Sequence, residues 1–327
     1  MRLLAISALA LVPGGAAAGS GGVRVPPGYR VAVVARGLTH PTALAWGPRG
    51  RLYATEDVGR LVVVRGGRPR VVASGLRTPL GLVFRGGSAY VSETGRLERL
   101  RFSAARVVSR RTLVSGLPYV LHQQDNVVVG RDGRLYFGSG STCDACTERD
   151  PRSAAILSVR PDGSGLRVVA HGLRNPYGLV LQPKTGRLYV TVNGQDKLGT
   201  GEPAETVVRI RSGASYGWPH CWASYRRRTL AGSCAGVTRP VAYLEPHSSA
   251  DGIAFWRGAL YVAEWGQYLS SRAGRRVVRI ELGRNGHARR VTTFAEGFDH
   301  PLALLASHGG LLVADWGRGV VLRISHK

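Results

Sequence analysis

The apolar positions of this chain come in short bursts. Leu52-Tyr53-Ala54, Ala89-Tyr90-Val91, Leu135-Tyr136-Phe137, Leu188-Tyr189-Val190, Leu260-Tyr261-Val262 and Leu311-Leu312-Val313 are each bounded by polar or turn-forming residues. No stretch beyond the N-terminus keeps a helical period for long, so these runs read as strands. Each is preceded by a shorter apolar run that opens on a Gly-Leu-x-x-Pro turn. The turns are Gly37 to Pro41, Gly75 to Pro79, Gly172 to Pro176 and Gly297-Phe298-Asp299-His300-Pro301, with Gly116-Leu117-Pro118 a variant and Glu245-Pro246-His247 a degenerate copy. Six copies at a period of about 50 residues, with about four strands each, predict an all-β fold, a six-bladed β-propeller. An unclosed propeller leaves sheet edges that invite aggregation. Tyr29 to Val34, an extra strand before the first turn, is therefore expected to complete the sheet formed by residues 300–324, and the repeat tyrosines to pack between blades.

The N-terminus changes the picture only in compartment. Met1-Arg2, an apolar run from Leu3 to Val12 and the small residues Ala16-Ala17-Ala18 read as a secretory leader, residues 1–18, ahead of one domain over 19–327. The run is far short of the roughly 20 residues needed to span hydrocarbon, so no membrane span is expected. An exported chain meets oxidising conditions, and its four cysteines suit two local disulfides, Cys143 with Cys146 and Cys221 with Cys234. Zinc would need further Cys or His ligands near the first pair, and a thioredoxin-like motif would need a strand before it and a helix after it. The formal charge of +25 is carried almost wholly by dispersed arginines. No segment resembles a nucleic-acid-binding element, so no nucleic-acid partner is expected; an anionic cell envelope suits such a surface.

Repeat symmetry puts equivalent positions on one ring about the axis. The turn before the first strand contributes His40, Arg77, Arg174, Asn175, His247 and His300, with His122 from the variant turn. The loop after the second strand contributes Glu56, Glu93, Gly194-Gln195-Asp196, Glu264-Trp265 and Asp315-Trp316. Convergent polar groups in a concavity are the expected place for a site, although each residue taken singly also suits ordinary turn chemistry. The long insertions, residues 138–152, 193–205 and 216–239, follow the third and fourth repeats, and long loops on a rigid scaffold usually carry recognition.

At these insertions the chain resembles the quinoprotein glucose and sorbosone dehydrogenases. The resemblance rests on His122 followed by Gly130-Arg131-Asp132-Gly133-Arg134-Leu135-Tyr136, on Ala154 to Leu157 leading into Pro161-Asp162-Gly163, on Gly172-Leu173-Arg174-Asn175-Pro176-Tyr177-Gly178-Leu179, and on Tyr216-Gly217-Trp218-Pro219. It implies oxidation of a sugar, aldose or related polyol with pyrroloquinoline quinone (PQQ) and calcium, the electrons passing to an unspecified acceptor. It makes His122 the general base and gives Arg174 the charge that develops on the quinone. Asn175, Trp265, Arg272 and His300 would hold the cofactor, and carbonyls of Gly194 and Gln195 would bind calcium. Three departures stand out. Leu121 occupies the place of the family's carboxylate beside the histidine, leaving Asp125 or a distant group to orient the ring. The closing turn reads Asp299-His300-Pro301 where the family has arginines, leaving Arg272, Arg275 or Arg276 to supply that charge. Arg77-Thr78 stands where a glutamine is expected.

Two other classes fit the same fold. A calcium-dependent propeller lactonase would need several carboxylates on one metal, with Glu56, Glu93, Glu264 and Asp315 as the candidates. A non-catalytic carbohydrate- or protein-binding propeller would need neither metal nor quinone. In that case His122 would cap a turn and Arg174 would pair with Asp125 or Glu205.

Overall fold

The computed structural model describes residues 22–267 and 273–327; the leader expected at 1–18 lies outside them. Six four-stranded antiparallel sheets stand around a central axis. Blade 1 is typical, a meander of Pro41–Trp46, Leu52–Glu56, Arg60–Arg65 and Arg68–Ala73. Its second strand is buried along its whole length because neighbouring blades cover both faces. The outermost strand of blade 2, Arg106–Val114, is mostly exposed and carries arginines.

Blade 6 closes the ring as the N-terminal segment predicts. Tyr29–Arg36 pairs antiparallel with Val320–His326, from Tyr29 opposite His326 to Arg36 opposite Val320. Blade 4 departs from the repeat. Its outer strand, Ala242–Leu244, arrives only after an insertion that carries a separate hairpin, Cys221–Ser224 with Thr229–Gly232. Those four-residue strands lack the Leu-Tyr-Val signature, which is why the pattern along the chain does not reveal them. The bond between Cys221 and Cys234 ties the hairpin to the segment that follows it.

The apolar core lies between blades. Tyr53 of blade 1 meets Phe84 and Phe102 of blade 2 at ring separations of 4.8 and 5.8 Å. Across the closing seam, Tyr29 meets Phe294 of blade 5 at 5.1 Å. Near the axis the blades approach so closely that backbone carbonyls rest on small or hydroxylated residues. Thr191 of blade 4 donates to the Asp251 carbonyl of blade 5 at 2.6 Å, and Ser92 of blade 2 donates to the Asp125 carbonyl of blade 3. At Gly252 a side chain is excluded, since a Cβ would stand 2.1 Å from the Leu302 carbonyl of blade 6.

The carboxylates that end the second strands are not at the mouth. Glu56, Glu93, Glu264 and Asp315 are buried. Glu56 accepts the Thr39 amide at 2.7 Å, Glu93 accepts the Arg77 amide, and Asp315 accepts the Asp299 and His300 amides at 2.9 and 3.0 Å. Each also holds an arginine: Arg60 on Glu56, Arg96 on Glu93, Arg276 on Glu264 and Arg318 on Asp315. In blades 1, 2 and 6 an acid followed three or four residues later by Arg is therefore a latch between the strand end and the turn that opens the blade, whereas Glu264 takes its arginine from the next strand. The lactonase reading loses its metal ligands to this use. Removing one partner of a buried pair strands the other charge, so Glu93→Ala should cost about 3–5 kcal/mol in urea unfolding and leave calcium binding unchanged.

Candidate functional site

Insertions of blades 3, 4 and 5 surround a cavity of about 1280 Å³ lined by His122, Arg174, Asn175, Gly194, Glu205 and Trp265, among others. Residues from the third and fourth turns, His122 and Arg174 among them, thus face one space.

His122 is anchored by Ser141. Its amide donates to the Ser141 carbonyl at 3.0 Å, and its Nδ1 lies 3.0 Å from Ser141 Oγ. The Ser141 hydroxyl spends its one hydrogen on the Cys143 carbonyl at 2.7 Å, so Oγ can only accept from the imidazole. Nδ1 therefore carries the proton and Nε2 the lone pair. Burial, with the Arg174 charge second, pushes the His122 pKa down to about 3, which keeps the ring neutral at neutral pH. The orienting carboxylate missing at Leu121 is thus replaced by a serine. Asp125 does not take that part: it is buried on the inner strand of blade 3, and its Oδ2 has no hydrogen-bond partner.

Arg174 is also held from the disulfide loop. Its Nη2 contacts Asp144 Oδ1 at 2.8 Å and Asp196 Oδ2 at 2.7 Å, and its Nε donates to the Asp144 carbonyl at 3.2 Å. Asp144 and Asp196, rather than Asp125 or Glu205, are its partners. Asp144 further accepts the Asp196 amide at 2.8 Å and the Trp218 indole at 3.0 Å. The small ring closed by Cys143 and Cys146 consequently fixes both site residues, His122 through Cys143 and Ser141, and Arg174 through Asp144. Neither Ser141 nor Asp144 stands out in the repeat; an acid enclosed by Cys-x-x-Cys within an insertion is the signal that marks Asp144. The cluster of Cys143, Cys146 and Glu148 does not offer a metal site. Its sulfurs are bonded to each other and Glu148 holds the Thr142 amide and hydroxyl.

Beside this hub lies an oxygen-rich loop. Glu205 is buried and accepts the Gly194 amide at 2.6 Å; burial pushes its pKa up to about 8, the environment of a carboxyl without a full countercharge. The side-chain oxygens of Gln195 and Asn175 are buried and have no partner. Gln195 faces a small pocket adjoining the main one.

On the far side the expected cofactor contacts divide. Trp265 lines the cavity, whereas His300 packs tilted against the Trp265 ring at 4.1 Å and supports it. His40 stacks on Trp316 at 3.9 Å, and Trp316 meets Trp265 edge-on at 5.7 Å. Arg272 lies outside the described residues. Arg276 is consumed by Glu245 and Glu264, and so cannot supply the missing charge. Arg275 Nε is buried without a partner next to Gly266 of the cavity wall. Among the described residues no helix is long and apolar enough to cross a membrane.

A family model described as Glucose / Sorbosone dehydrogenase matches residues 89–302. Among solved structures, a putative oxidoreductase (glucose dehydrogenase) of Thermus thermophilus is 28% identical with a TM-score of 0.76, over 91% of this chain and all of the other. A PQQ-bound aldose sugar dehydrogenase of Streptomyces coelicolor is 24% identical with a TM-score of 0.73, over 92% of this chain and 100% of that one. The PQQ domain of a pyranose dehydrogenase from Coprinopsis cinerea, in its holo form, is 20% identical with a TM-score of 0.81, over 93% and 97%. The last two likenesses concern the fold alone.

Two outcomes are expected here. The Cys143→Ser/Cys146→Ser double variant should lose about 2 kcal/mol or less by loop entropy, against about 3 kcal/mol for Cys221→Ser/Cys234→Ser. Yet the first, and not the second, should shift Trp218 fluorescence and the His122 ring resonances. For His122, a folded pKa depressed below that of the unfolded chain means the unfolded state binds more protons between about pH 6.5 and 3. Stability should therefore fall as pH drops through that window, and His122→Gln should flatten the slope of urea midpoints, while imidazole NMR of the parent shows a neutral Nδ1–H ring at pH 5.

Proposed function

The chain belongs to the glucose/sorbosone dehydrogenase family, and from that premise we propose that it is an exported, quinone-dependent dehydrogenase of a sugar, aldose or related polyol. The observation that carries the reading is a neutral His122 with a lone pair on Nε2, opening on the same cavity as a buried guanidinium. Such a base accepts a carbinol proton at neutral pH without first having to lose one of its own. Arg174 offers positive charge where negative charge develops, and its carboxylate partners keep it from swinging away.

The residues present fit the family's PQQ and calcium. Asn175 Oδ1 and Gln195 Oε1 are buried oxygens in want of a partner, and the Glu205 carboxyl beside the Gly194 amide supplies a hard donor of the kind calcium prefers. Arg174, Asn175, Trp265 and Arg275 would hold the quinone; Gly194, Gln195 and Glu205 would hold the metal. When bound, the quinone supplies the two-electron acceptor for the substrate's hydride. The leader and the two disulfides support an extracytoplasmic site of action.

The reading is tested by calorimetric titration of the purified protein with calcium and PQQ, followed by assay of aldoses with an artificial electron acceptor. His122→Ala should retain quinone binding and lose about 10²–10⁴-fold in turnover. Arg174→Ala should lower both affinity and turnover, with Arg174→Lys recovering only part because a point charge lacks the planar fork of donors. If the parent takes up no quinone, and both variants alter only the melting temperature, the protein is a binding propeller.

A further inference from the structure

The strand registers define a ring of six equivalent inner positions. Leu44 pairs with Ala54, the third residue of its Leu-Tyr-Ala run, and the residue two before Leu44 is Thr42. The same construction in the other blades gives Leu80, Asp125, Tyr177, Asp251 and Leu302. A hydroxyl and two leucines are ordinary tenants of a propeller axis. Two carboxylates are not.

Asp125 and Asp251 stand on blades 3 and 5, either side of Tyr177 on blade 4, and are 1% and 4% exposed. Neither has an ion-pair partner among the described residues. Asp125 Oδ2 has no hydrogen-bond partner at all. Among the described residues Asp251 accepts only Asn193 Nδ2 at 3.0 Å and Ser249 Oγ at 3.2 Å through its side chain. The other end of that same Asn193 amide, Oδ1, is buried and unpartnered. Burial, with the Asp251 charge second, holds Asp125 well above the usual range, and after burial itself both carboxylates raise the Tyr177 hydroxyl. Ser249 and Asn193 line the cavity, so Asp251 lies just beneath its floor.

Burying two anions with no cation is costly, and a carboxylate dyad escapes the cost by keeping a proton or by sharing a metal ion. Asn193 Oδ1, buried and without a partner beside Asp251, is an oxygen of the kind a hard cation uses. We propose that a calcium-like divalent cation binds on the propeller axis between Asp125 and Asp251, with Asn193 Oδ1 as a third protein donor. Oxygen-only donors of this kind suit calcium or manganese and disfavour zinc. Asn193 directly precedes Gly194 of the oxygen-rich loop, but the two carboxylates stand on the inner strands of blades 3 and 5, and the site does not depend on the quinone reading. Its part is to hold blades 3, 4 and 5 together under the cavity.

Terbium luminescence on the chelator-treated full chain tests this, with tyrosine excitation, because Tyr177 sits between the two carboxylates. A saturable emission that calcium displaces is expected, weakened at least tenfold in apparent affinity by Asp125→Asn and by Asp251→Asn. Tyr177→Phe should lose most of the sensitised emission yet bind calcium calorimetrically as the parent does. Glu205→Gln should keep the emission. Should either Asn variant fail to fold, Asp125→Leu places a residue the ring already carries at two positions, and calcium should then no longer raise the melting temperature through this site. Unchanged terbium binding in the Asp variants overturns the proposal. So does loss of the signal in Glu205→Gln, which would make the mouth the only metal site. So does a parent indifferent to calcium and stabilised by Asp125→Asn, the behaviour of a shared proton.

Discussion

The structure depends on a single non-covalent closure, the ladder that joins Tyr29–Arg36 to Val320–His326. Six twisted sheets arranged about an axis leave one seam where chain continuity cannot help, and here the seam is sewn by backbone hydrogen bonds between the two ends of the domain. Tyr29 packs on Phe294 and Trp256 beside it, so the same segment also completes the apolar layer between blades 5 and 6. Once the ring is closed, each inner strand has a fixed place, and the insertions after the third and fourth repeats must emerge at the same end.

Symmetry and asymmetry then divide the labour. What repeats is structural: strand-end carboxylates hold turns and arginines, the tyrosines fill the gaps between blades, and small hydroxylated residues donate to the carbonyl of the next blade. What does not repeat is chemical. The hub of the site is a four-residue ring closed by Cys143 and Cys146, present in one blade only, and its neighbours come from the unique insertions around Asp196 and Trp218. A latch can be copied from blade to blade because the blades pose the same problem; the pairing of His122 and Arg174 on one cavity occurs once among the described residues.

Charge is distributed in the same spirit. The exterior is dominated by arginine, yet the interior holds carboxyls whose pKa values are raised by burial, among them Glu205, Asp251 and Glu264, at about 8, 7 and 7. Glu264 has Arg276 to answer it. Glu205 and Asp251, by contrast, depend on neutral donors, and that want of a countercharge sets the carboxyls of the cavity and the axis apart from those that are paired with arginine.

Much of this was legible in the amino-acid sequence, for a physical reason. Strand runs, turns and their repetition are local, so the blade count, the closing strand, both disulfides and the meeting of His122 with Arg174 follow from spacing and symmetry. Local pattern also misled: an acid at a strand end looks the same whether it faces the funnel or turns inward, and only packing decided that Glu56, Glu93 and Asp315 hold turn amides while Glu264 holds Arg276. The hairpin of blade 4, the serine that fixes the His122 tautomer, the Asp144 and Asp196 grip on Arg174, and the burial of Asp125 and Asp251 on either side of Tyr177 all depend on contacts between distant segments. Such contacts exist only after the ring has closed, and tertiary structure alone decides them.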